Sequence, residues 1–267
     1  MLLEPLPPFT PCKRGDKGPD VRRVQEWLTL HGIGCEIDGD FGPATAAAFA
    51  RWGRALHTHG DVRQLAALAY LADPSTVTDP LMAELEAPLY NACEDVTDAR
   101  DGDFLPAVVR YAEQHLDHHP REVGGQNMGP WVRLYMRGRE GRQWAWCAGF
   151  VRYVCEQAAR QCGVDLPFAI SYSCTTLAER AKTVGRFHPR VPLHADHVEV
   201  AHAIKPGYIF LVRRDDYSWS HTGIVTGVHE DHVEVIHGNS NDEGSREGYE
   251  VCRGIMSYAR LDFVCPA

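Results

Sequence analysis

Segment 144–155, Trp-Ala-Trp-Cys-Ala-Gly-Phe-Val-Arg-Tyr-Val-Cys, constrains this chain more than any other, because it sets a cysteine at the start of a helix. From Cys147 the apolar side chains fall at Cys147, Phe150, Val151, Val154, Cys155 and Ala158, the spacing of one buried helix face. Gly163 supplies a stop, since glycine accepts the left-handed residue that ends many helices. A thiol at a helix N-terminus lies in the positive end of the macrodipole, which favours thiolate. An ordinary cysteine, with a pKa of about 8.5, is only a few per cent ionised at neutral pH, so that help matters for a nucleophile. An isolated cysteine is more often core than catalytic, so the weight falls on the residues downstream.

Two short β-branched runs come next, Ser220 to Val228 and Val233 to Asn241, separated by His229-Glu-Asp-His232. They read as a hairpin. A helix bearing the thiol, then a hairpin bearing a histidine, then a polar orienting residue, is the order of papain-like catalysis. In that order His221 is the general base toward Cys147, and His237 or Asn239 holds its ring in the right tautomer. Strand parity sharpens the expectation. With a plain two-residue Glu230-Asp231 turn, His237 would oppose Ile224, and His221 would point away from both His237 and Asn239. A working triad therefore requires a three-residue turn or a bulge between Val228 and Val235, for which Asp231 or His232 could take the left-handed conformation, unless His221 precedes the first regular ladder pair.

The chain resembles the CHAP family, the cysteine- and histidine-dependent amidohydrolases and peptidases of phage lysins and bacterial wall hydrolases. The resemblance rests on Glu122 to Pro130, the Trp146-Cys147 helix start, Pro206 to Val212, His221 to Val225, and Gly238 to Gly248, in the family's order and across roughly residues 104–264. It implies a papain-like α+β domain with an antiparallel sheet, acting on amide bonds of peptidoglycan. Gln126, Asn127, Tyr135 and Trp146 become candidate cleft residues. Cys174, in a segment that lines the family's cleft, is read as structural, and Cys155 as core. Two positions depart from the family pattern: His237 stands where an acid is usual, and Tyr208 where aspartate is frequent. A neutral imidazole cannot stabilise an imidazolium by charge as a carboxylate does, which leaves His237 and Asn239 both open as the orienting residue.

No His or Cys pair has the spacing of a zinc site, and no cofactor is expected. His194, His197, His202, His229 and His232 read as solvated. Asp98, Asp101 and Asp103 imitate a calcium loop but read as a solvated linker and a helix cap.

At 267 residues the chain accommodates two domains with separate cores. In the first half Pro19 and Pro43 each follow a glycine where a helix begins. Thr45, Ala48, Phe49, Trp52 and Leu56 then repeat at helical spacing. Residues 14–56 resemble the small three-helix peptidoglycan-binding domain attached to many wall hydrolases, and that resemblance points to a groove near Asp38, Gly39, Phe41 and Thr45. The organisation expected is a helical domain over 12–88, an acidic linker over 89–103 and a hydrolase domain over 104–267.

The first residues lack the basic start and long apolar run of a signal peptide, and no run is long enough to span a bilayer. The expectation is cytoplasmic synthesis followed by release or secretion to the wall, without membrane insertion. A net charge of −9 excludes electrostatic capture of nucleic acid. Nine cysteines in such a chain are expected to be mostly reduced. The function expected is therefore a monomeric peptidoglycan hydrolase, amidase or endopeptidase, serving as a phage endolysin or as an antibacterial effector with an immunity protein. A catalytically inactive wall-binding protein, or a cysteine amidase acting on a non-wall peptide conjugate, remain the alternatives.

Overall fold

This computed structural model describes residues 2–56, 64–96, 103–190, 203–241 and 248–267. Among them the chain is α+β, with a helical first half and an antiparallel sheet in the second. The first half holds α1 (Pro19–Leu30), α2 (Pro43–Leu56), α3 (Gln64–Ala72), α4 (Asp79–Leu85) and α5 (Ala87–Ala92), tied at one edge by β1 (Cys12–Lys13) and β2 (Thr76–Val77). Pro19 and Pro43 open their helices as expected. Thr45, Ala48, Phe49, Trp52 and Leu56 form the buried stripe of α2.

The second half begins with α6 (Phe104–Asp117) and α7 (Pro130–Tyr135), followed by α8 (Cys147–Cys162) and α9 (Cys174–Thr183). Strands β3 (Phe187–His188), β4 (Ile209–Arg213), β5 (Trp219–Val228), β6 (His232–Ser240), β7 (Glu250–Ser257) and β8 (Leu261–Val264) form a sheet in the order β3-β8-β4-β5-β6-β7. Helix α8 ends at Gly163 in the left-handed conformation, as its sequence foretold. Asp103 stands at the N-cap of α6 without a side-chain capping bond. Asp98 and Asp101 lie outside the described residues, as do His194, His197 and His202.

The expectation of two separate cores is corrected. Buried residues of both halves run into one cluster, from Val24 and Trp27 through Leu89 and Cys93 to Trp131, Phe150 and Val154. Trp27 meets Trp131 edge-on at 6.1 Å. Glu26, almost fully buried on α1, takes Arg22 at 3.0 Å and the guanidinium of Arg133 on α7. Over its described residues 89–96 the expected linker is corrected for the same reason. Leu89, Ala92, Cys93 and Val96 are apolar and buried, and the Gln161 side chain grips the Val96 backbone through both its N–H and its C=O.

The β5–β6 hairpin closes through a plain two-residue Glu230-Asp231 turn, with Val228 opposite Val233 and the His229 N–H donating to the His232 carbonyl. Neither Asp231 nor His232 has positive φ. The expected site of the parity shift is therefore wrong, yet the shift exists. A bulge between Val225 and Gly227 places Ile224 opposite Ile236, which sets Gly223 against His237. A Cβ on Gly223 would lie 2.6 Å from His237 Cβ and from the Phe210 ring. Because side chains alternate, His221 shares the face of Gly223 and thus of His237.

The Glu26–Arg133 pair spans the two halves within one core, so Arg133→Ala is expected to destabilise by about 2–3 kcal/mol. That is somewhat below the usual cost of breaking a buried pair, because Arg22 still faces Glu26. Thermal unfolding should show one transition at lower temperature. An unchanged midpoint, or two resolved transitions, contradicts the single core.

Candidate active site

Cys147 is the first residue of α8 and is buried at its N-terminus. The helix start is held from the sheet: Asn239 Oδ1 accepts the Trp146 backbone N–H at 2.7 Å, and Asn239 Nδ2 donates to the Gly248 carbonyl at 2.9 Å. Asn239 adopts a left-handed φ of 54° where β6 breaks register with β7 between His237 and Ser240. That bulge turns its amide toward the helix, where it satisfies one of the orphan N–H groups every helix start leaves. Asn239 is thus a cap for α8, and its amide does not touch His221.

His237 does. His221 Nε2 and His237 Nδ1 are 2.8 Å apart, with ring centroids at 5.1 Å. The Phe210 ring packs on both, at 6.1 Å and 6.0 Å. On the far side His237 Nε2 faces Cys252 Sγ, its cross-strand neighbour on β7, at 3.7 Å. Burial, then the neighbouring His221, push the His237 pKa down to about 3. His237 is therefore neutral near pH 7, with one nitrogen donating and one accepting. His221 is half-exposed, so the constellation opens to solvent there.

With Nε2 engaged by His237, Nδ1 is the other ring nitrogen of His221. The Cys174 thiol, then the His221 imidazole through hydrogen bond and charge, then the Ala148 N–H, hold Cys147 well below the ordinary thiol range, against the burial that opposes them. Cys174, read from the sequence as structural, stands instead beside the candidate nucleophile. Its Sγ lies 3.9 Å from Cys147 Sγ. It opens α9 behind Ser173, whose hydroxyl accepts the Thr176 N–H. Thr175 Oγ1 accepts the Trp219 N–H at 3.2 Å, which fixes that helix start beside the strand carrying His221. The Ser173-Cys-Thr-Thr capping pattern was the available signal.

Of the expected cleft residues, two belong to the core. Tyr135 is fully buried, its hydroxyl on His115 Nδ1 at 2.9 Å and its ring stacked on Trp146 at 5.5 Å. Trp146 is equally buried and donates its indole N–H to Glu122 at 2.9 Å. Glu122 also accepts the Asn127 N–H at 2.8 Å. It acts as a brace behind the helix start, and burial raises its pKa. Asn127 is buried in a left-handed turn, its amide N–H on the Arg142 carbonyl. Gln126 is half-exposed in the same loop.

In the first half, the buried Gln25 amide organises the loop that carries the expected binding residues. It donates to Asp38, the Asp40 carbonyl and Thr45, and accepts the Gly39 N–H at 2.8 Å. Phe41 is corrected from groove to core, packed edge-on against Phe49. Thr45 is buried as well, its hydroxyl committed to the loop. Asp38 and Gly39 do line an open concavity, with Lys17, Gly18, Arg22 and Asp40.

Among the described residues, no group of three or more His, Cys, Asp or Glu side chains could hold a metal ion, and no helix is long and apolar enough to cross a membrane. His229 and His232 stack at 4.4 Å at the hairpin tip. No protein-family model matches the chain, and neither a curated protein nor a solved structure does.

Because Cys147 is held below the ordinary thiol range, its alkylation by iodoacetamide should fall less steeply between about pH 8 and about pH 6 than that of an ordinary thiol, which slows about tenfold per unit. In His221→Ala the ordinary slope should reappear in part. A steep profile for the wild-type thiol contradicts the assignment.

Proposed function

We propose that this chain is a cysteine amidohydrolase in which Cys147 attacks, His221 moves the proton and His237 orients His221. The observation that carries the reading is the line from Cys147 through His221 to His237, with the thiol at a helix start and held below the ordinary thiol range. The Cys147 thiolate adds to an amide carbonyl carbon. Its developing oxyanion meets the positive end of α8 and the Cys147 N–H, which has no intrahelical partner in the first turn. The C–N bond breaks as His221 delivers a proton from Nδ1 to the leaving amine, which leaves a thioester. Water, deprotonated by His221, then releases the acid and restores the thiol.

Throughout, the His221 Nε2–H needs an acceptor. The neutral His237, protonated on Nε2 and accepting at Nδ1, supplies one where the family resemblance leads one to expect an acid. It orients the ring but adds no charge, which points to a smaller contribution than a carboxylate would make.

The substrate class proposed is peptidoglycan, as a stem-peptide endopeptidase or an N-acetylmuramoyl-L-alanine amidase of papain-like fold. The CHAP motifs and the first half's likeness to a three-helix wall-binding domain support that class. Arg22 lines the Asp38–Gly39 concavity and also bonds Glu140 in the second half, so a strand bound at the first would stand in fixed relation to the second. The proposed setting is the cell wall, with endolysin and secreted effector as the candidate contexts.

Incubation of purified sacculi with the full chain, followed by mass spectrometry of the released fragments, names the bond. Cys147→Ala should release nothing. His221→Ala should lose about 10²–10⁴ in kcat/KM, and His237→Ala less than His221→Ala. Asn239→Ala should mainly lower stability, by about 1–2 kcal/mol, through loss of the cap. Intact sacculi with wild-type protein, alongside reactive Cys147, would redirect the search to another amide.

A further inference from the structure

Helices α8 and α9 each begin with a cysteine. No disulfide joins any of the nine cysteines, and the sulfurs of Cys147 and Cys174 lie 3.9 Å apart. A disulfide of about 2.0 Å requires the two sulfurs to approach by about 1.9 Å. We propose that Cys147 and Cys174 form a reversible disulfide under peroxide, which shields the nucleophile from irreversible oxidation and holds it inactive until a thiol reductant reopens the bond.

The chemistry balances in two steps. The Cys147 thiolate attacks one oxygen of hydrogen peroxide, the O–O bond breaks, and the products are a sulfenic acid at Cys147 and hydroxide. Cys174 sulfur then attacks the Cys147 sulfur. The S–O bond breaks, hydroxide leaves and takes the Cys174 proton, and the sum is two thiols plus peroxide giving one disulfide and two waters. The geometry suits each role. His221 brings the site to solvent, and peroxide is small enough to follow. Cys174 waits within reach as the resolving thiol, held in register by the Thr175–Trp219 bond. Burial pushes Cys12 up to about 12 and Cys93 up to about 11, and it raises Cys155 further; Cys174 is raised too, by its bond to Cys147 and by burial, so it resolves as a thiol. Cys252 faces His237 rather than Cys147.

Only the effect on turnover rests on Cys147 being the hydrolytic nucleophile; the bond itself is read by mass. Full-length protein is treated with hydrogen peroxide, blocked with iodoacetamide and digested with trypsin. The expected product is peptide 143–152 joined through Cys147 to Cys174 of peptide 161–180, with Cys162 alkylated and the joined mass lower by two hydrogens. Dithiothreitol should then restore alkylatable Cys147. In Cys174→Ser the same treatment should carry Cys147 to sulfinic acid, and recovery should fall at least about tenfold. Sulfinic acid at Cys147 of the wild-type chain, a bond to Cys162 or Cys252 instead, or no oxidation of either thiol would overturn the proposal. If the bond forms and reverses while sacculi stay intact before and after, the switch stands and the hydrolase reading fails.

Discussion

Everything at the candidate site depends on where the first turn of α8 is held. A helix start leaves unpaired N–H groups and a positive pole, and both are useful only if the helix cannot fray. Here the Asn239 amide oxygen takes the Trp146 N–H, from a residue 93 positions further along the chain. Trp146 is clamped in turn between Tyr135 and Glu122. Gly238 must lack a side chain, because a Cβ there would sit 2.5 Å from the Trp146 ring. Sheet and helix are thus fitted to each other within van der Waals contact, and Cys147 inherits its position from that fit.

Behind this start lies a polar core that is satisfied rather than solvated. His115 is fully buried, bonded to Tyr135 and to Gln157 at 2.7 Å, and burial drives its pKa down to about 4. His237 follows the same logic at the site. Both rings are neutral when folded but would protonate in the unfolded chain below about 6.5. Their stabilising contribution is therefore present above that pH and is lost as pH falls toward 4 and then 3. A neutral acceptor in place of an acid is tolerable in such surroundings, since an unpaired carboxylate buried there would carry a heavier desolvation cost.

Much of this was legible from residue spacing and some of it was not. The helix from Cys147 to its glycine stop, the hairpin and the need for a parity shift all follow from periodicities of 3.6 and 2. The shift's location did not, because Thr226 sits in a β-branched run that reads as regular strand, and Gly227 was the sole local sign of a bulge. Asn239 and His237 were indistinguishable in sequence, since either could orient a ring. Only the left-handed backbone at Asn239 separates them, by turning the amide to the helix. Trp146 and Tyr135 were misplaced for a related reason: an aromatic beside a catalytic cysteine lines a cleft or backs the helix according to long-range packing. Cys174 and the merged core depend on contacts between segments far apart in the chain, which local patterns do not encode.

If a neutral histidine orients the base, the tautomer of His237 must show it. Long-range nitrogen–proton NMR of the full chain near pH 7, with His237 assigned by substitution, distinguishes the ring nitrogens. Nε2 should carry the proton toward Cys252, while Nδ1 should be bare and hydrogen-bonded to His221. A His237 protonated on Nδ1, or on both nitrogens, would leave His221 without its acceptor and contradict this arrangement.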